Sequence, residues 1–143
     1  MATTRTANAH WEGTLFEGAG TVSLDSSNLG TFDVTWAART ETPGGRTSPE
    51  ELIAAAHSSC FNMQLSNVLA GGGNPAQELD TKAEVDFVPG KGITEIRLTV
   101  RARVEGLSDD KFVAAAEDAK ANCPVSQALK ATPITLDAAL KQD

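Results

Sequence analysis

The stretch Ser48-Pro49-Glu50-Glu51-Leu52-Ile53-Ala54-Ala55-Ala56-His57-Ser58-Ser59-Cys60-Phe61, closed downstream by Gly71-Gly72-Gly73, decides how the rest of the chain is read. Ser48 suits a helix N-cap, Pro49 suits the first helical position, and Glu51 three residues after the cap completes a capping box. The pattern predicts a helix to about Ala70, where the glycines supply a left-handed C-terminal cap. Residues 52–69 contain no Asp, Glu, Lys or Arg. A surface helix normally carries a charged face, so this one is expected to be buried on most sides. Ala54, Ala55, Ala56, Ser58 and Ser59 are small enough for another backbone to approach.

Strand signals flank this helix on both sides. Residues 7–15 and 20–24 surround Phe16-Glu17-Gly18-Ala19, a hairpin turn, and Phe32, Val34 and Trp36 alternate with polar residues as in a half-buried strand. Downstream, residues 81–88 and 93–104 alternate and are joined by Pro89-Gly90-Lys91-Gly92. Residues 109–121 read as a helix capped by Ser108. Pro124 starts a short helix over 125–130 with Cys123 at its N-cap, and 134–140 reads as a last strand. Three strands and a helix, then two strands, two helices and a strand, indicate an α+β fold. The length of 143 residues fits a single domain, 1–143.

Composition removes several function classes. The net charge of -7 disfavours nucleic acid or an anionic membrane surface as a partner. The uncharged helix is too rich in Ser, Asn and Gln to span a bilayer, and the first nine residues lack an apolar signal core, so a cytoplasmic location is expected. Two cysteines in a reducing compartment are more often free or redox-active than structural. No cofactor or metal is expected, because the two histidines and the carboxylates show no metal-ligand spacing. Gly18-Ala19-Gly20 precedes a strand rather than a helix and is not a phosphate loop.

The chemistry-bearing residues admit two readings each. Cys60 is either a small core residue or a nucleophile. Cys123 is either a plain cap or a thiol favoured as thiolate by the amides of the following helix. His57 lies three residues before Cys60 on the same helical face. It is either a base for Cys60 or a hydrogen-bonded core residue. His10, in a strand beside Trp11, has no evident partner.

Together, Ala9-His10-Trp11-Glu12-Gly13, the turn and strand from Gly18 to Ser23, Ser48-Pro49-Glu50-Glu51-Leu52, Ala55-Ala56-His57-Ser58-Ser59-Cys60-Phe61 and Asn122-Cys123-Pro124-Val125-Ser126 resemble the osmotically inducible protein C family. Its sister branch is the organic hydroperoxide resistance proteins, and the resemblance covers about residues 7–141. His57 and the Ala9 to Gly13 motif place the chain nearer the OsmC branch. The resemblance implies antiparallel sheets packed around a long buried helix carrying Cys60, in an intertwined homodimer. It implies a thiol peroxidase that reduces organic hydroperoxides, with Cys60 peroxidatic, Cys123 resolving through a Cys60–Cys123 disulfide, Glu50 as active-site carboxylate and Arg39 as active-site arginine. Arg46, beside Pro43-Gly44-Gly45, is the rival arginine. A dithiol reductant, usually a lipoylated protein, is the implied partner. A guanidinium near Cys60 is expected to lower its pKa, since an unperturbed thiol is only about 3% thiolate at pH 7.

Two alternatives stay open: a stress or binding protein of the same fold whose disulfide is only a switch, and a cysteine-nucleophile hydrolase using Cys60 and His57. Glu50 and Cys60 also pose a geometric problem. Ten residues on one helix span about 15 Å, more than a glutamate can reach. Either Glu50 is not the matching carboxylate, the helix breaks, or the carboxylate serving Cys60 comes from a second chain, which is the expectation taken forward.

Overall fold

A computed structural model describes residues 1–142. The chain packs as two units, Met1–Leu52 and a second beginning at Ile53. In the first unit, β1 (Asn8–Glu12), β2 (Ala19–Ser23) and β3 (Thr31–Val34) form an antiparallel sheet in the order β1-β2-β3. Gly20 has a steric reason: a Cβ there would collide with the His10 carbonyl oxygen and the Trp11 ring across the β1–β2 pair. The strand expected to continue through Trp36 instead stops at Val34, and α1 (Trp36–Thr40) follows. Thr35 is the reason. It adopts extended backbone at the N-cap, and its side chain accepts a hydrogen bond from the Ala38 amide at 3.1 Å.

Helix α2 (Pro49–Gly71) begins as the sequence predicts. Ser48 Oγ accepts from the Glu51 amide at 3.1 Å. The return half of the capping box differs: the Glu51 carboxylate accepts from the Thr47 hydroxyl at 2.6 Å. At the other end Gly73 takes φ +88° while the Asn74 amide bonds the Leu69 carbonyl at 2.9 Å, a left-handed termination that favours glycine.

The second unit holds the main core. β4 (Glu78–Val88) and β5 (Gly92–Arg103) form a long antiparallel hairpin. After β5 come α3 (Asp109–Asn122), α4 (Pro124–Ala128) and β6 (Ile134–Leu140). β6 pairs with β5 in parallel, so this sheet, ordered β4-β5-β6, is mixed rather than antiparallel throughout as expected. The connection explains it. A parallel neighbour needs a crossover of a dozen or more residues, and α3 and α4 supply one.

Burial phases the helices. Beyond the first turn of α2, where Glu50 is buried, the buried residues are His57, Phe61, Leu65 and Leu69, one every four positions. On α3 Phe112, Ala116 and Ala119 are buried, and Cys123 extends that stripe. Phe61, Leu65 and Leu69 of α2 and the α3 stripe join Leu98, Val100 and Ala102 of β5 in one apolar cluster. The expectation that α2 is buried on most sides is not met within this chain. Ala55, Ala56, Ser59, Met63, Ser66 and Asn67 are exposed, Met63 at 73%. Lack of charge was an ambiguous signal, because small polar residues can face water as readily as a packed neighbour.

Leu65 is fully buried and Ser66 exposed. Leu65→Ala should therefore lower unfolding stability by about 2–5 kcal/mol, and Ser66→Ala should change it by less than about 0.5 kcal/mol. Urea denaturation followed by circular dichroism measures both, and equal effects would refute the phase assigned to α2.

Candidate active site

The structure brings the four expected site residues together as two pairs. In the second unit, α2 carries Cys60 and the α3–α4 junction carries Cys123. Both are free thiols, and the Cys123 thiol donates to Cys60 Sγ at 3.1 Å. Cys123 is fully buried and Cys60 partly exposed, so the outer sulfur is the one on the helix. A disulfide bond is about 2.05 Å long. Closing the contact therefore needs an approach of only about 1 Å.

Cys123 is the N-cap of α4, as expected, but its side chain makes no cap hydrogen bond. Its sulfur faces Cys60 instead. The amide of Val125, in the first turn of α4, hydrogen-bonds Cys60 and favours its thiolate. Burial and then the Cys123 hydrogen bond act the other way and dominate, so the Cys60 pKa is pushed up within this chain. The expected lowering is thus reversed, because desolvation penalises a charged sulfur more than one amide supports it.

His57 is fully buried on α2, and its Nε2 lies 2.7 Å from Ser126 Oγ on α4. Its Nδ1 has no hydrogen-bond partner among the described residues. Burial lowers the His57 pKa. This is the hydrogen-bonded core histidine of the two readings. His10 is on the surface, 3.4 Å from Glu12.

In the first unit, Arg39 on α1 holds Glu50 of the first turn of α2 through a fork. Nε lies 3.0 and 3.1 Å from the two carboxylate oxygens, and Nη2 lies 2.8 Å from Oε1. Glu50 is only 7% exposed, so the guanidinium offsets the cost of burying its charge. Arg39 also lies over the Trp36 ring, 5.9 Å from its centroid, and Trp36 meets Phe16 edge to face. The rival Arg46 is exposed on the preceding loop. A cavity of about 450 Å³ opens beside the pair, lined by Trp11, Leu15, Val22, Val34, Trp36 and Leu52, with Arg39 its one charged lining residue.

Sequence reasoning missed Ser126 and the Val125 amide. Serine after a helix start reads as a capping residue, and a backbone donor leaves no mark in the sequence. The alternation of Phe32, Val34 and Trp36 puts Trp36 in a strand, whereas the Thr35 cap before Ala37-Ala38 starts a helix there.

A family model described as OsmC-like protein matches residues 42–137. The chain belongs to this family. It is 42% identical to Peroxiredoxin OsmC of Escherichia coli (strain K12) over 99% of both chains. Among solved structures, an organic hydroperoxide resistance protein OsmC from Legionella pneumophila matches with TM-score 0.74 and 25% identity, covering 97% of this chain and 98% of that one. The organic hydroperoxide resistance protein OhrB of Bacillus subtilis matches with TM-score 0.67 over 95% and 98%, and at 22% identity it bears on the fold alone. The names of these relatives support a peroxidase-type function in the OsmC-like family. No helix among the described residues is long and apolar enough to cross a membrane.

The lowered His57 pKa fixes the sign of a pH effect. Between that lowered value and the ordinary 6.5 the unfolded chain binds more protons than the folded one. The stability owed to neutral His57 is complete above about pH 6.5, declines as pH falls through the window, and levels off below the folded pKa. The stability difference between wild type and His57→Gln should therefore narrow from pH 7.5 to pH 5.5 in urea titrations. A constant difference would show that the ring does not titrate between the two states.

Proposed function

We propose that this protein is a two-cysteine thiol peroxidase that reduces organic hydroperoxides to alcohols. The observation that carries the reading is the 3.1 Å contact between Cys60 and the buried Cys123. The Cys60 thiolate attacks the outer peroxide oxygen, the O–O bond breaks, and the alkoxide leaves as alcohol after taking a proton. Cys60 is then a sulfenic acid. Cys123 attacks it, an S–S bond replaces the S–O bond, and the hydroxyl departs with the Cys123 proton as water. A dithiol, proposed to be a lipoylated protein, returns the pair to thiols by exchange. The apolar cavity beside Arg39 suits the alkyl part of such a substrate and supports organic hydroperoxides over hydrogen peroxide.

This chemistry requires a cation, since burial and Cys123 both disfavour the Cys60 thiolate. The reading assigns that cation to Arg39, held by Glu50 and delivered from a second copy in a homodimer. Two observations support it. Glu50 and Cys60 are ten residues apart on one helix, too far for a glutamate to bridge, and α2 presents an uncharged exposed stripe that a second copy would cover. The proposed protein is a single OsmC-like domain acting in the cytoplasm, without a bound cofactor.

Consumption of cumene hydroperoxide with dihydrolipoamide as reductant should be lost in both Cys60→Ser and Cys123→Ser. One equivalent of hydroperoxide should yield the Cys60–Cys123 cross-link in peptide maps. Turnover that survives Cys123→Ser would exclude the resolving role. Absence of any turnover in the wild type would favour a redox switch over an enzyme.

The shared site has its own test. Glu50→Ala chains and Cys60→Ser chains, each inactive alone, should regain activity on mixing, because one site of the mixed dimer then has both wild-type groups. Confirmed subunit exchange without recovery would reject the second-copy assignment.

A further inference from the structure

The hydrogen bond between His57 and Ser126 frames the sulfur contact. His57 is three residues before Cys60 and Ser126 three after Cys123, so the bond lies about one helical turn from each sulfur. Both partners are buried, His57 completely and Ser126 at 4% exposure. The ring has no second hydrogen bond among the described residues. A neutral ring with its proton on Nε2 leaves only a lone pair unsatisfied at Nδ1, which is less costly than a buried N–H without an acceptor. Nε2 then donates to the Ser126 oxygen, and it has no lone pair with which to act as a base.

Helix α4 has one other side-chain tie, from the Gln127 amide to the Ala121 carbonyl of α3, which does not reach α2. It is five residues long, starts at Pro124, and lacks a side-chain cap hydrogen bond at Cys123. So short a helix has marginal intrinsic stability, and its position must come from tertiary contacts.

We propose that the His57–Ser126 hydrogen bond is a positioning tie for the cysteine pair, holding the first turn of α4 against α2 and setting how readily Cys123 closes onto Cys60. His57 and Ser126 are positioning residues, and neither exchanges protons with substrate. The inference rests on the disulfide step of the function proposed above. Lowering of the His57 pKa by burial is consistent with it, because a cationic ring would present an Nδ1–H with nothing to accept it.

The test reads the closure equilibrium and does not need a peroxide. Full-length protein is equilibrated at pH 7 with mixtures of reduced and oxidised glutathione, and the Cys60–Cys123 disulfide is quantified by mass spectrometry after acid quenching. Ser126→Ala should lower the closure constant about tenfold, equal to about 30 mV for a two-electron couple. His57→Gln should stay within about threefold of wild type, since the glutamine amide N–H can stand in for Nε2–H. His57→Leu should fall with Ser126→Ala. Val100→Ala, a core truncation on β5, should weaken the fold without changing the constant. A wild-type constant in Ser126→Ala overturns the proposal, and so does an equal fall in Val100→Ala. If Ser126→Ala does not fold, the comparison of His57→Leu with His57→Gln decides, and equal constants reject the tie. A wild type that closes in glutathione yet consumes no hydroperoxide would defeat the peroxidase reading while leaving the tie to its own measurement. A wild type that never closes would defeat both.

Discussion

Packing of the α2 stripe Phe61, Leu65 and Leu69 into the second unit's core is the constraint on which the chemistry depends. Burying a Phe or Leu side chain contributes about 1.5–3 kcal/mol. Several such side chains, spaced every four residues, leave one favourable rotation of the helix about its axis. Cys60 precedes Phe61, so that rotation puts its sulfur at the margin of the core, partly open to solvent. The same logic applies to α3, where Phe112, Ala116 and Ala119 carry the buried stripe onward to Cys123. Two helices phased by apolar packing thus aim one sulfur from the edge and one from within, and the contact between them follows from burial rather than from any attraction between thiols.

The first unit solves a different problem. It retains a nearly buried carboxylate, which is costly unless its oxygens are fully engaged. Arg39 meets that requirement with two nitrogens, and α1 exists to present it: a five-residue helix set by the Thr35 cap and anchored through Trp36. A lysine at that position would supply charge without the fork, and so would not substitute for it.

Much of this was legible beforehand. Ser48, Pro49 and the Gly71-Gly72-Gly73 run marked both ends of α2, and alternation marked β4 and β5, because capping and period are local properties written in consecutive residues. The direction of β6 was not legible, since an alternating strand looks the same whether its neighbour runs parallel or antiparallel. The exposed side of α2 is not legible from the sequence, because absence of charge marks a stripe facing water in this chain as readily as one packed within it. Cys60, Cys123, Glu50 and Arg39 follow from motif resemblance, as does the pairing of the two cysteines; the structure adds the distances and the burial of each group. The His57–Ser126 bond lay beyond sequence reasoning altogether: its partners are 69 residues apart, and neither residue type is unusual where it stands.

The separation of the two cysteines along the chain has a further consequence. They are 63 residues apart, so a bond between them would tie off a loop containing β4, β5 and α3. In the chain-entropy description, a loop of that length removes about 4 kcal/mol of disorder from the unfolded ensemble. The oxidised and reduced proteins would then share nearly one folded geometry yet differ greatly in how far they can unravel. A cell's proteases sample rare open forms, so they would clear the reduced chain faster than the oxidised one. Its lifetime would come to record its recent exposure to oxidant.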